Sequence, residues 1–208
     1  MGWSLHHKTG LIHSSHQQTY RGYTLVSTNR GGYHANLIDM EGRICHRWYS
    51  EEGICYPYLL PNGNLLLRTS PPQVEGEERF GGSSASILEL DWDGNVVWSI
   101  RDSMLHHDFQ RLPNGNTLVL LWVPIPDELK NRVVGGYESE GDSLPMLGDL
   151  VQEITPDGSV VYEWKSWEHL NEEEDVICFL ERRRERTHQN ALNLTPDGDL
   201  LVSFRQTS

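Results

Sequence analysis

The sequence predicts an all-β chain forming part of a β-propeller, and three observations carry the prediction. A strand running into an acidic-Gly turn and then a Trp-ended strand occurs three times. The copies are Leu37–Gly42 leading to Trp48, Ile87–Gly94 leading to Trp98, and Val151–Gly158 leading to Trp164. A hairpin of Pro, Asn or Asp, and Gly also occurs three times, at Pro61-Asn62-Gly63, Pro113-Asn114-Gly115 and Pro196-Asp197-Gly198. The two patterns alternate strictly. Repetition at several tens of residues is the mark of a propeller or solenoid, whose units bury their apolar faces against one another.

The elements follow in order. Residues 1–20 read as an N-terminal arm, with His6, His7, His13 and His16 and little apolar periodicity. Residues 21–208 read as a partial propeller domain. Short β-rich runs follow at Tyr23–Ser27, His34–Met40, Arg43–Tyr49, Tyr56–Leu60 and Asn64–Arg68. A second unit supplies Ser84–Leu90, Asn95–Ile100, His107–Leu112 and Thr117–Trp122, and a third Asp149–Ile154, Ser159–Trp164, Ala191–Leu194 and Leu200–Arg205. Asn-Gly and Asp-Gly between such runs are hairpin signals. Gly42 to Gly94 and Gly63 to Gly115 both span 52 residues, so the first two units are in register.

Two insertions lengthen the third unit. Pro124–Leu147 is a Pro/Gly-rich excursion. Residues 171–186 read as a helix, with Asn171 capping an acidic first turn and Arg182–Arg186 in the last, an order that suits the helix dipole. The run Glu181–Arg186 reads as a solvated face of that helix, with steering of an anion the alternative. Long loops in a compact domain are usually functional or disordered, so these are expected to roof a site. The count is three to three-and-a-half blades, whereas closed propellers use roughly four to eight. On this reading the chain is a partial one, or a homodimer closes the ring.

Lys and Arg total 17 against 30 Asp and Glu, a formal charge of −13. Phosphate-driven nucleic-acid binding and adhesion to an anionic membrane are disfavoured. No apolar run approaches the roughly 20 residues of a membrane span. The start carries no apolar core of a secretory signal. A cytoplasmic location is expected as written, and a periplasmic or secreted one if the N-terminus is incomplete. Cys45, Cys55 and Cys178 show no CxxC spacing and read as reduced thiols, with a Cys45–Cys55 bridge the alternative in an exported chain. No metal site is expected: there is no HExxH motif or Cys cluster, and the acidic turn residues suit hairpin capping. No cofactor is expected.

Candidate chemistry comes from aligning the hairpin strands on Pro61, Pro113 and Pro196. Six residues before each proline stand Cys55, His107 and Asn190, and eight before the third stands His188. Side chains alternate with period two, so His107, His188 and Asn190 should share a face. His106 is out of phase and should face the other side. Arg205 sits opposite Asn190 if Asp197-Gly198 forms a two-residue loop, and opposite Gln189 if the turn is type I with a Gly bulge. Two imidazoles, an amide and a guanidinium suit an anionic group such as sulfate or phosphate. A neutral histidine also serves as nucleophile or general base.

At these residues the chain resembles the arylsulfotransferase family of bacterial-type enzymes that work without 3'-phosphoadenosine-phosphosulfate. The resemblance rests on Gly22–Leu25, Leu37–Arg43 with His46 and Trp48, His106-His107-Asp108-Phe109 running into Leu112–Asn116, Gly148-Asp149, His188-Gln189-Asn190 and Ser203-Phe204-Arg205. It implies a six-bladed propeller that moves a sulfuryl group from a phenolic sulfate ester to a phenol through a sulfohistidine. It implies catalytic roles for His107, His188 and Arg205, and substrate binding by Asn190 and His106. Departures are expected to matter. The family's histidine nucleophile lies beyond the strand matched by Leu201–Arg205, where this chain ends, so the chain is expected to be inactive alone. Arg186-Thr187 stands where relatives more often carry an acidic-aromatic pair. The competing reading is a non-catalytic propeller scaffold; a metal-dependent propeller hydrolase is a third.

Overall fold

The computed structural model describes residues 11–15, 17–28, 32–71, 81–138 and 144–207. Residues 1–10 and 16 of the expected arm lie outside the described residues. The fold is all-β, and the chain divides into two compact units: Met1–Pro72 with Ser86–Ser99, and Gln73–Ala85 with Ile100–Ser208.

In the first unit, β1 (Thr24–Ser27), β2 (His34–Ile38) and β3 (Ile44–Tyr49) form an antiparallel three-stranded sheet. Strands β4 (Tyr56–Leu59), β5 (Leu65–Arg68), β6 (Ser86–Leu90) and β7 (Val96–Arg101) form a four-stranded sheet in chain order. Alternation along β2 buries Ala35 and Leu37. They join Trp48, Ile54, Leu65, Leu67, Leu88 and Leu90 in one apolar cluster. Full burial of such a side chain is worth about 1.5–3 kcal/mol. Trp48 sits in this core, as its place at a strand end suggests, and its Nε1 donates to the Asp91 carbonyl at 3.1 Å.

Both sequence patterns fold into the same turn. In all six, the fourth residue is a glycine with φ between 79° and 92°. Its N–H donates to the carbonyl three residues back, as Gly42 to Asp39 and Gly198 to Thr195, both at 3.0 Å. The first residue's N–H then donates to the carbonyl four residues on, as Leu60 to Asn64 and Thr195 to Asp199, both at 2.8 Å. This is a type I turn closed by a glycine bulge. Short polar side chains reinforce it: Asp39, Asn62, Asp91 and Asn114 each accept the N–H two residues on through Oδ1.

The second unit holds β8 (Leu105–Arg111), β9 (Thr117–Pro124), a short α1 (Asp127–Lys130), β10 (Gly135–Tyr137), β11 (Leu147–Ile154), β12 (Val160–Lys165), β13 (Ile177–Arg182), β14 (Gln189–Leu194) and β15 (Leu200–Phe204). Its four-stranded sheet runs β12-β11-β9-β8, with the β14-β15 hairpin separate. Leu112, Leu118, Leu120, Val151 and Leu192 form a core with Trp164, Leu194 and Leu200 against it. The four-stranded sheets therefore begin with a Pro-Asn-Gly hairpin and end with an acidic-Gly turn. The sequence grouping began each unit the other way round, because it could not see β5 pair with β6, or β9 with β11, across long connections.

The helix expected over residues 171–186 is absent. Asn171 does cap, accepting the N–H groups of Glu173 and Glu174 at 2.9 and 3.4 Å. After that single turn the chain extends into β13, parallel to β10. Val176-Ile177-Cys178-Phe179 favours a strand, and Ile177 is buried with Ile125, Val133 and Met146. Tertiary pairing overrides the local helix signal. The arginine run is correspondingly no solvated helix face: Arg183 donates to the carbonyls of Gly135 and Val133 at 2.5 and 2.8 Å. Arg186 is wholly buried, which depresses its guanidinium pKa, while Glu172 and Asp175 oppose the shift. All three cysteines carry free thiols.

Candidate functional site

The candidate site lies within the second unit, where β8, β9, β11 and the segment entering β14 meet. In β8 the pairing with β9 passes from His106↔Leu120 to Phe109↔Val119, so His107 and Asp108 form an irregularity. His107 adopts φ 41° and His188 φ 50°, the only non-glycine residues with positive φ among the described residues. Such backbone costs about 1–3 kcal/mol and tends to mark functional sites.

These two strained histidines face each other. His107 Nε2 and His188 Nε2 stand 3.2 Å apart. On its other side, His107 Nδ1 lies 3.1 Å from His106 Nδ1. His106 stacks on the Trp122 indole at 4.2 Å and 10°. Its Nε2 lies 3.3 Å from Asp149 Oδ1, both groups fully enclosed. At the far end, His188 Nδ1 lies 2.6 Å from Glu185 Oε2. The two carboxylate contacts are ion-pair approaches without the alignment of a hydrogen bond. Together the five side chains form a row, Asp149–His106–His107–His188–Glu185.

Asp149 also holds the backbone around His188. Its Oδ2 accepts the Gln189 N–H at 2.9 Å and the Thr187 hydroxyl. The Asp149 N–H donates to Ser166 Oγ at 3.1 Å. Gly82 closes another side: the His107 N–H donates to its carbonyl at 2.9 Å, and the His107 ring lies where a Cβ at position 82 would stand.

The expected residues divide clearly. His107 and His188 come together. His106, expected to face away, belongs to the same cluster, because the irregularity after it breaks the period-two alternation. Arg205 and Asn190 lie outside the row. The turn takes the type I form, pairing Leu194 with Leu200 and Ala191 with Ser203. A further shift at Asn190 then sets the Arg205 N–H on the His188 carbonyl at 3.2 Å. The type I register drawn from the sequence holds as far as Ala191↔Ser203, and neither register places Arg205, which lies beyond the further shift. The Arg205 guanidinium pairs with Glu181 at 2.7 Å, and the exposed Asn190 accepts the Ser203 hydroxyl at 2.6 Å.

Asp149, Glu185, Trp122 and Gly82 were not singled out for a role. Asp149 carried the clearest signal: of the two carboxylates in the strand Leu147–Ile154 it is the one set in the apolar run Leu147–Val151, where a buried carboxylate must find partners. No set of three or more His, Cys, Asp or Glu arranged to hold a metal ion occurs among the described residues. No helix among them is long and apolar enough to cross a membrane.

The row offers paired imidazole nitrogens backed by carboxylates, a constellation able to hold, give and take a proton beside an anionic group. Comparisons with known proteins bear on which chemistry this is. No curated protein matches the chain in sequence. A solved structure described as a protein of unknown function from Bacteroides caccae is similar at 19% identity and TM-score 0.43, covering 87% of this chain. The chain spans 48% of that protein's length. The sequence profile of the arylsulfotransferase (ASST) family matches residues 11–208, a span that takes in every member of the histidine row. This chain belongs to the arylsulfotransferase family.

Proposed function

We propose that the chain contributes to a β-propeller enzyme that moves a sulfuryl group from a phenolic sulfate ester to a phenol through a sulfohistidine. Its four-stranded sheets are the blades in this reading. The observation that carries it is the opposed His107–His188 pair at 3.2 Å, held on strained backbone in a member of this family. Imidazoles there would contact the sulfate group or the leaving phenol oxygen and offset charge developing on it. Arg205 would add a bidentate clamp on sulfate oxygens after leaving Glu181, and Asn190 a donor after leaving Ser203.

The test is release of 4-nitrophenol from 4-nitrophenyl sulfate by the purified chain, with and without phenol. Phenol-dependent release, with a phenyl sulfate product, is the expected result for transfer. Release independent of any acceptor would indicate hydrolysis instead. No release and no binding of the ester would favour a scaffold.

A further inference from the structure

The insertion over residues 171–186 runs β13 alongside the residues that follow β15. Ile177 bridges Thr207, and the Cys178 N–H donates to the Gln206 carbonyl at 2.8 Å. The Arg205 N–H in turn donates to the His188 carbonyl at 3.2 Å, which ties this edge to the histidine row. On its other side β13 is anchored by β10 and by Arg183, which donates to the carbonyls of Gly135 and Val133. From this anchored strand Glu181 reaches the Arg205 guanidinium, Oε1 to Nη2 at 2.7 Å, and the two side chains are 27% and 48% exposed. Among the described residues Glu181 is the one ion partner of Arg205. The guanidinium is thus open to an anion from solvent, yet already carries a carboxylate.

We propose that Glu181 is a latch on Arg205: its carboxylate occupies the guanidinium that the sulfate group of an aryl sulfate would take, and the ester binds by displacing it. The inference rests on the sulfate-holding role proposed for Arg205 above. A carboxylate and a sulfate ester present charged oxygens to the same guanidinium N–H groups, so the two compete for them. The Glu181 side chain is the moving part, because Arg183 and the β10 pairing hold its backbone. An ion pair this exposed is weak, so an anionic group displaces it, whereas a neutral phenol brings no charge with which to do so. The latch therefore yields to the anionic donor and stays closed to the neutral acceptor.

Titration of the full chain with inorganic sulfate, followed by NMR at the Arg205 Nε–H, tests the latch. Arg205→Gln identifies that signal, and Glu181→Gln identifies the Glu181 side-chain carboxyl. Sulfate should move both signals in step, and phenol should move neither. Glu181→Gln should bind sulfate roughly two- to fivefold more tightly at Arg205, the worth of an exposed ion pair. Glu181→Ala takes its place if that variant does not fold. Unchanged or weaker binding without the carboxylate would overturn the proposal. So would sulfate that moves Arg205 while Glu181 stays still, or sulfate that moves Arg205 in none of these proteins. The titration involves no sulfuryl transfer. A failed transfer assay thus leaves the latch standing, and a failed latch leaves sulfuryl transfer standing.

Discussion

Replacing Gly82 by alanine probes how tightly the site is built. A Cβ there would lie 2.2 Å from His107 Cε1, 2.3 Å from Nε2 and 2.4 Å from Nδ1. Ordinary contact begins at 3.4 Å, so relieving the 2.2 Å approach takes a displacement of 1.2 Å. A retreat of that size by the ring is large against the 3.2 Å separation of His107 and His188. Two costs follow. The φ of 86° at position 82 strains alanine by about 1–2 kcal/mol. Displacing a packed ring adds about 1–3 kcal/mol. Urea unfolding should therefore show a loss of about 2–5 kcal/mol, and, on the proposed function, sulfuryl transfer by the enzyme to which the chain contributes should fall on the order of 100-fold. The decisive arm is His107→Ala, which removes the ring but not the backbone strain. In that background Gly82→Ala should cost only about 1–2 kcal/mol. An equal cost in both backgrounds would refute the argument that the ring, rather than the turn, requires glycine.

Two further outcomes test the frame around the site. Leu67→Ala, at a fully buried position in the first unit's core, should destabilise by about 2–5 kcal/mol in urea; a change below 1 kcal/mol would contradict that packing. Asp91 is held below the ordinary carboxylate range first by the Asn95 side-chain hydrogen bond, then by the Asn95 backbone N–H. Its folded pKa is depressed, so its contribution is present above the unfolded value and lost as pH falls through the lower folded one. Asp91→Asn should flatten the acid limb of a thermal-melting profile, and an unchanged limb would remove this turn from the acid response.

How much of the molecule was legible depended on the distance over which each feature is decided. The six turns were legible because Pro, Asn, Asp and Gly act within five residues. Strand positions followed from the runs between them. His107 and His188 were brought to one place by counting back from the hairpins. Their actual approach, however, depends on positive φ at both and on the irregularity after His106. Period-two counting cannot cross such an irregularity, which is why His106 was set on the wrong face. The same limit misplaced Arg205, whose register shifts once at the glycine bulge and again at Asn190. At residues 171–186 the capping signal was correct for one turn, but the pairing of β13 with β10 decided the rest.

The sequence by itself determined an all-β chain, its repeated turns and the family to which it belongs. All three are written in short-range chemistry and in the order of motifs along the chain. Only the tertiary structure decided the histidine row. Its members come from separate elements, and its strained backbone is held by contacts no local pattern encodes: the Gly82 carbonyl on the His107 N–H, and the Asp149 carboxylate gripping both neighbours of His188. A buried carboxylate and a residue in a strained conformation persist only when the surrounding fold supplies their partners.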